Sequence, residues 1–279
     1  MKRRVAVVLL CVAGVTPLLA ASRSFLSNGV KIQYLDDGKG ETLVLLHGSG
    51  GGYDDFVYAG VIRALRKDYR ILAPDARAHG RSGHPRGVEH YGMEMIEDVV
   101  RLLDQVGVDR AHVLGFSMGA RIAAKLMVTH PERLRSVILA GGGARRDTPR
   151  DRQNLEALAR RWETGNILIR AWPEDSPPAT MAEARRLSDE ALKGRHRHAV
   201  AALTRGRVAW YVSPDELRAS QVPAIGIAGT RDGALAEVRR TAEAKPGMKV
   251  VEIEGAGHVE TLSRKEFVAA IRAFLEAER

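Results

Sequence analysis

Ser117 lies in Gly115-Phe116-Ser117-Met118-Gly119, a hydroxyl set one residue in from glycines on either side. An apolar run over 111–115 precedes it, and a helical pattern over 118–129 follows. That places the serine on a strand-to-helix turn, the context a Gly-x-Ser-x-Gly nucleophile requires. The turn is sharp, and only small neighbours such as Gly115, Gly119 and Ala120 let the chain close there. It lifts the hydroxyl above the sheet edge, where the positive end of the next helix favours developing negative charge.

A serine hydroxyl is a weak nucleophile until a base takes its proton. His258, in Gly255-Ala256-Gly257-His258, follows the strand pattern of 249–253, so it falls in a loop at the carboxyl edge of a sheet. His79, His84, His90, His196 and His198 follow no late strand in this way. Asp232, in Gly229-Thr230-Arg231-Asp232, follows the apolar run 224–228 and lies on the same edge. A carboxylate there fixes the imidazole tautomer and stabilises its cation. A helix cap is the other reading of Asp232, and Asp147 and Asp151 are the reserve acids. Nucleophile, acid and base thus occur in the chain order Ser, Asp, His, each just beyond a strand.

The negative charge formed by attack on a carbonyl needs donors. His47-Gly48-Ser49-Gly50-Gly51-Gly52 follows an early strand and is rich enough in glycine for its amides to approach a substrate. The amides of Ser49 and of Met118 are the expected oxyanion donors, and removing one such donor costs about 3–4 kcal/mol of transition-state stabilisation. A phosphate-cradling loop is the rival, but no Gly-Lys-Ser/Thr follows. His47, Gly48 and Phe116 are expected to border the substrate.

The elements that must hold these groups alternate. Strand patterns at 24–26 and 30–35 are joined through Ser27-Asn28-Gly29, a hairpin signal. Further strands are expected over 42–46, 70–73, 111–115, 136–140, 224–228 and 249–253. Helices are expected over 57–67, 93–106, 118–129, 234–244 and 264–278. Strands interleaved with helices at this spacing form a mostly parallel sheet covered on both faces, an α/β fold. The alternation breaks over 144–221, which is rich in Arg and Ala with helical patches. The expected organisation is a core from 22–143 and 222–279, interrupted by a helical insertion.

Together these landmarks resemble the α/β-hydrolase superfamily from about residue 24 to the C-terminus. They are His47-Gly48, Pro74-Asp75-Ala76-Arg77-Ala78-His79-Gly80-Arg81-Ser82, Gly115 to Gly119, Asp232 and His258. The resemblance implies an esterase- or lipase-like serine hydrolase whose 144–221 insertion is a cap over the site. Ala78 departs from it, since relatives often carry Gly there, as does Ala120-Arg121 after the turn. Ser117 stands where dehalogenases and epoxide hydrolases of this fold use Asp, which argues against both. The insertion carries Trp162, Trp172 and Trp210, candidates for an apolar pocket, though packing of the cap is the plainer role for each.

Residues 1–21 are set apart. Lys2, Arg3 and Arg4 precede an apolar run over 5–15, and small residues end it at Leu19-Ala20-Ala21, the layout of a secretory signal peptide. Export to a bacterial periplasm or medium is expected, with retention as a membrane anchor the alternative. No stable membrane insertion is expected after cleavage. Cys11 is the single cysteine and lies in this leader, so disulfides, thiolate metal sites and a cysteine nucleophile are excluded from the mature chain. The net charge of +9 is carried by scattered arginines with no concentrated stripe, which argues against nucleic acid as partner.

The expected reaction is hydrolysis of a small-molecule carboxylic ester, lactone or thioester through an acyl-enzyme, with no metal or organic cofactor. A C–C bond hydrolase and a cofactor-free perhydrolase would use the same parts. A ligand-binding protein that kept the fold without turnover is the alternative of another class.

Overall fold

A computed structural model describes residues 21–165 and 196–278, with residues 180, 182, 183 and 186 between them. Eight strands form one sheet: β1 (Ala21–Ser27), β2 (Val30–Gly38), β3 (Glu41–Leu46), β4 (Tyr69–Pro74), β5 (Ala111–Phe116), β6 (Leu134–Ala140), β7 (Ala224–Gly229) and β8 (Lys249–Ile253), in the order β1-β2-β4-β3-β5-β6-β7-β8. β1 and β2 form the expected hairpin and β2 runs antiparallel to β4; every other pairing is parallel. Ala21, the last residue of the expected leader, opens β1 opposite Asp36.

The central strands are apolar without interruption because both faces of a parallel sheet are covered. Side chains alternate between two cores. Val44, Leu46, Ala111, Val113, Val137 and Leu139 face one, and Leu43, Leu45, Leu114, Phe116, Ile138 and Ala140 face the other. The first core is closed by α3 (Met93–Gln105) and α4 (Met118–Thr129). The second is closed by α1 (Asp54–Tyr58), α2 (Val61–Leu65) and α9 (Lys265–Ala277). α8 (Leu235–Ala244) packs on β7. The helix expected over 57–67 is two short ones, because Gly60 between them takes a left-handed φ of 76° and turns the chain.

Between β6 and β7 the described residues form α5 (Pro149–Thr164), α6 (Arg197–Gly206), a 3₁₀ turn at Arg207–Trp210 and α7 (Pro214–Ala219), with no strand. Thr148 and Ser213 cap α5 and α7, each accepting the amide three residues on, Asp151 and Glu216. Trp210 pins this insertion to the core, its side chain buried and its Nε1–H donating to Gly92 O at 2.9 Å. Among the described residues no helix is long and apolar enough to cross a membrane.

The loop after β4 is held by a buried ion pair. Arg77 is fully enclosed and donates to Asp98 through Nε and Nη2, both at 2.7 Å, while its remaining donors reach His90 O and Ser27 O. It thereby ties β1, α3 and the loop together. Neighbouring Ala78 has φ 65°, a left-handed conformation that explains why glycine suits this position. Asp98→Ala removes the closer of two carboxylates from a buried guanidinium, leaving only Glu94 at 3.3 Å, and is expected to lower unfolding free energy by about 3 kcal/mol. Urea unfolding followed by circular dichroism measures it; a loss within experimental error of zero would show that the pair contributes nothing.

Candidate active site

Every candidate group hangs from the carboxyl edge of the parallel strands: the glycine loop after β3, Ser117 after β5, Asp232 after β7 and His258 after β8. Open α/β sheets place their ligands on this edge.

Ser117 sits between β5 and α4 with φ 55° and ψ −105°, a conformation L-residues rarely adopt. Two hydrogen bonds fix it there. Ser117 N–H donates to Ala140 O at 2.8 Å, and Gly119 N–H donates to His47 O at 3.1 Å. A side chain at Gly119 is impossible without movement, since a Cβ there would lie 2.0 Å from Leu46 O.

His258 donates from Nδ1 to Asp232 Oδ2 at 2.9 Å, which leaves Nε2 as the acceptor nitrogen. The other Asp232 oxygen accepts the Ala234 amide at 2.8 Å ahead of α8, so the capping and orienting roles coexist on one carboxylate. Burial acts to raise the Asp232 carboxyl. The bond from His258, the Ala234 amide and the nearby charges of His258 and Arg121 outweigh it and carry Asp232 below the usual carboxylate range. Phe116 lies against the His258 ring, centroids 4.9 Å apart. The reserve acids are engaged elsewhere, Asp147 with Arg152 and Asp151 with Arg145 and Thr148.

Ser117 and His258 share the wall of one cavity of about 500 Å³ with Gly48, Ser49, Phe116 and Tyr58. Tyr58 and Val259 are strongly exposed at this cavity, 86% and 71%. A second cavity of about 490 Å³ lies at the opposite, amino end of β7 and β8 beside Lys245. The Met118 amide, at the first position of α4, has no intrahelical acceptor, and it stands beside Ser117, with Ser49 on the loop after β3.

His47 does not border the cavity. It is buried, donates from Nδ1 to Gly48 O at 2.7 Å and accepts the Ala76 amide on Nε2 at 2.9 Å. Burial, against the Gly48 bond and the charges of Asp75 and Asp55, keeps its imidazole below the ordinary range and hence neutral. Its role is to bind the glycine loop to the loop after β4. Trp210 and the part-buried Trp162 also pack into the apolar core and are absent from the cavity wall; Trp172 lies outside the described residues. Arg207 escaped the sequence reading: its Nη2 donates to Ser49 Oγ at 2.8 Å and lies 3.9 Å from Met118 Sδ. Nothing in a chain with 43 lysines and arginines singles it out beforehand.

Residues 41–166 match the family model of the alpha/beta hydrolase fold. The enol-lactonase of Burkholderia xenovorans LB400 superposes with a TM-score of 0.73 at 26% identity, over 91% of this chain and all of that one (100%). The chain has the α/β-hydrolase fold. The 2-hydroxymuconate semialdehyde hydrolase of Pseudomonas sp. (strain CF600) is 32% identical over 120 residues, 43% of this chain and 42% of its own length. A relative named for carbamate hydrolysis, RutD of Caulobacter sp. (strain K31), is 28% identical over 85% of this chain and 91% of its own. The chain spans less than half the length of the first curated relatives it matches.

The strain at Ser117 has a measurable consequence. Glycine tolerates this φ and ψ, and such outliers store about 1–3 kcal/mol, partly offset by the greater chain entropy of glycine. Ser117→Gly should therefore raise unfolding free energy by about 1 kcal/mol while removing the hydroxyl. A Tm below that of the unsubstituted protein would show the turn to be unstrained.

Proposed function

We propose that this α/β-hydrolase cleaves a carboxylic ester, or a lactone or thioester, with Ser117 as nucleophile, His258 as base and Asp232 as the acid that orients it. The observation that carries the reading is the 2.9 Å bond from His258 Nδ1 to Asp232 beside a cavity that His258 shares with Ser117. In this mechanism Ser117 Oγ attacks the carbonyl carbon as His258 Nε2 takes the hydroxyl proton. The oxyanion is held by the amides of Ser49 and Met118. Collapse passes the Nε2 proton to the leaving alkoxide and leaves an acyl-serine. Water then gives its proton to Nε2, attacks the acyl carbon and releases the acid and Ser117. Asp232 stays ionised throughout and stabilises the imidazolium. The segment after β6 serves as the cap, and residues 1–21 direct export.

The likeness to a 2-hydroxymuconate semialdehyde hydrolase favours C–C bond hydrolysis as a second reading, in which the same base and oxyanion donors act on a carbon leaving group. The relative named for carbamate hydrolysis extends the choice of leaving group to nitrogen.

A fluorophosphonate probe is expected to label the wild-type protein and not Ser117→Ala. Ser117→Ala should lower kcat on an activated ester at least about 10⁴-fold, and Asp232→Asn about 10³–10⁴-fold. An unlabelled wild type would favour the binding protein without turnover. Labelling without turnover of any ester, together with cleavage of a vinylogous diketone, would select the C–C reading.

A further inference from the structure

Three guanidinium groups, those of Arg121, Arg145 and Arg207, lie close enough to feel one another's charge, and their compensation differs. Arg121, on α4, pairs with Glu237 at 3.0 Å, and Arg145 pairs with Asp151 at 3.1 Å. Arg207 has no carboxylate within 4.0 Å among the described residues. Its recorded contacts there are Ser49 Oγ, Met118 Sδ and the face of Trp210, 5.9 Å from its Cζ. Its Nε is covered by protein and meets no acceptor. Burial first, and then the charges of Arg121 and Arg145, pull this guanidinium down to about 9, which leaves it a cation at neutral pH.

A cation whose Nε is covered and unpartnered, and which meets no carboxylate among the described residues, is costly, and a bound anion removes that cost. The position matters as much as the charge. Two of the three side chains that Arg207 touches belong to the residues whose amides are the oxyanion donors proposed above. Arg207 reaches the cavity of Ser117 and His258 through Ser49, which lines its wall and accepts from the guanidinium; with the leaving group taken by His258, this side is assigned to the acyl portion. An anionic substituent in that portion would repel the oxyanion forming nearby, and a guanidinium beside it cancels the repulsion. Planar donors in a fixed fork suit a carboxylate.

We propose that Arg207 is a specificity subsite for a carboxylate in the acyl portion of the substrate, so that the preferred substrates are half-esters or lactones of dicarboxylic acids. This rests on the ester reading above. It makes the insertion a source of charge recognition as well as of apolar cover.

The test compares monomethyl glutarate with methyl valerate, which has the same chain length and lacks the charge, in a pH-stat assay. Wild type should favour the charged ester in kcat/KM by about 10- to 100-fold, the factor a hydrogen-bonded charge commands. Arg207→Gln should collapse that ratio, chiefly through KM for the charged ester, and Arg207→Lys should restore part of it. A merely structural role would lower both esters alike and leave the ratio where it was, which overturns the proposal. Equal wild-type rates on the two esters would overturn it as well, without reference to any variant. Fluorophosphonate labelling of the same wild-type sample judges the ester reading separately. If labelling and turnover both fail, calorimetric binding of monomethyl glutarate still decides for Arg207. Binding at least about tenfold weaker in Arg207→Gln supports the subsite, and equal binding or none in the wild type overturns it.

Discussion

The turn at Ser117 is the constraint from which the rest of this edge of the molecule follows. A residue held at φ 55° and ψ −105° cannot persist by its own preference; the surrounding chain must over-determine it. Here β6 supplies one restraint through Ala140 O, and the glycine loop supplies the other through His47 O. The second bond has a further effect. Because Gly119 is bonded to the residue that starts the glycine loop, the amide of Met118 and the amide of Ser49 are carried by two pieces of chain locked to each other. His47 extends the lock to Ala76, and the buried Arg77–Asp98 pair extends it to α3. Positioning at the site is thus transmitted through backbone bonds at Ser117 and Gly119 and through two buried side chains, His47 and Arg77.

Charge is used in two opposed ways around this frame. Arg77 is enclosed, and its donors meet Asp98, His90 O and Ser27 O; it has nothing left to offer a ligand and acts as a clamp. Arg207 is also covered at Nε, yet its contacts are a hydroxyl, a sulfur and an indole face. None of these neutralises a positive charge. The same side-chain type is therefore structural in one place and poised for an anion in the other, and the count of compensating acceptors separates the two.

Much of the architecture was legible because it is written in local patterns. Short runs of three to six residues gave the strands, and the helix at 118–129 and the strand at 249–253 fell where their spacing placed them. The helix over 57–67 did not, because the periodicity continues across Gly60 while the backbone reverses there. Ser117, Asp232 and His258 could be picked out because each sits shortly after a strand, β5, β7 and β8 in turn. Trp210 was less legible: an indole in an insertion reads the same whether it lines a pocket or docks on Gly92, and only the distant acceptor decides. Arg207 was invisible for the same reason, its partner Ser49 being 158 residues away in sequence.

That difference between local and long-range information matches a division of labour in the fold. The parallel sheet fixes where Ser117, His258 and the amides of Ser49 and Met118 stand, and proteins named as a 2-hydroxymuconate semialdehyde hydrolase, a carbamate hydrolase and an enol-lactonase are all similar to this chain. A frame common to several chemistries cannot itself carry the choice among them. The choice must come from groups that approach from outside it, and the segment between β6 and β7 is the one that reaches Ser49 and Met118 from that side. Substrate selection by this chain is accordingly a question about the contacts between insertion and glycine loop, where Arg207 brings a guanidinium that meets no carboxylate among the described residues.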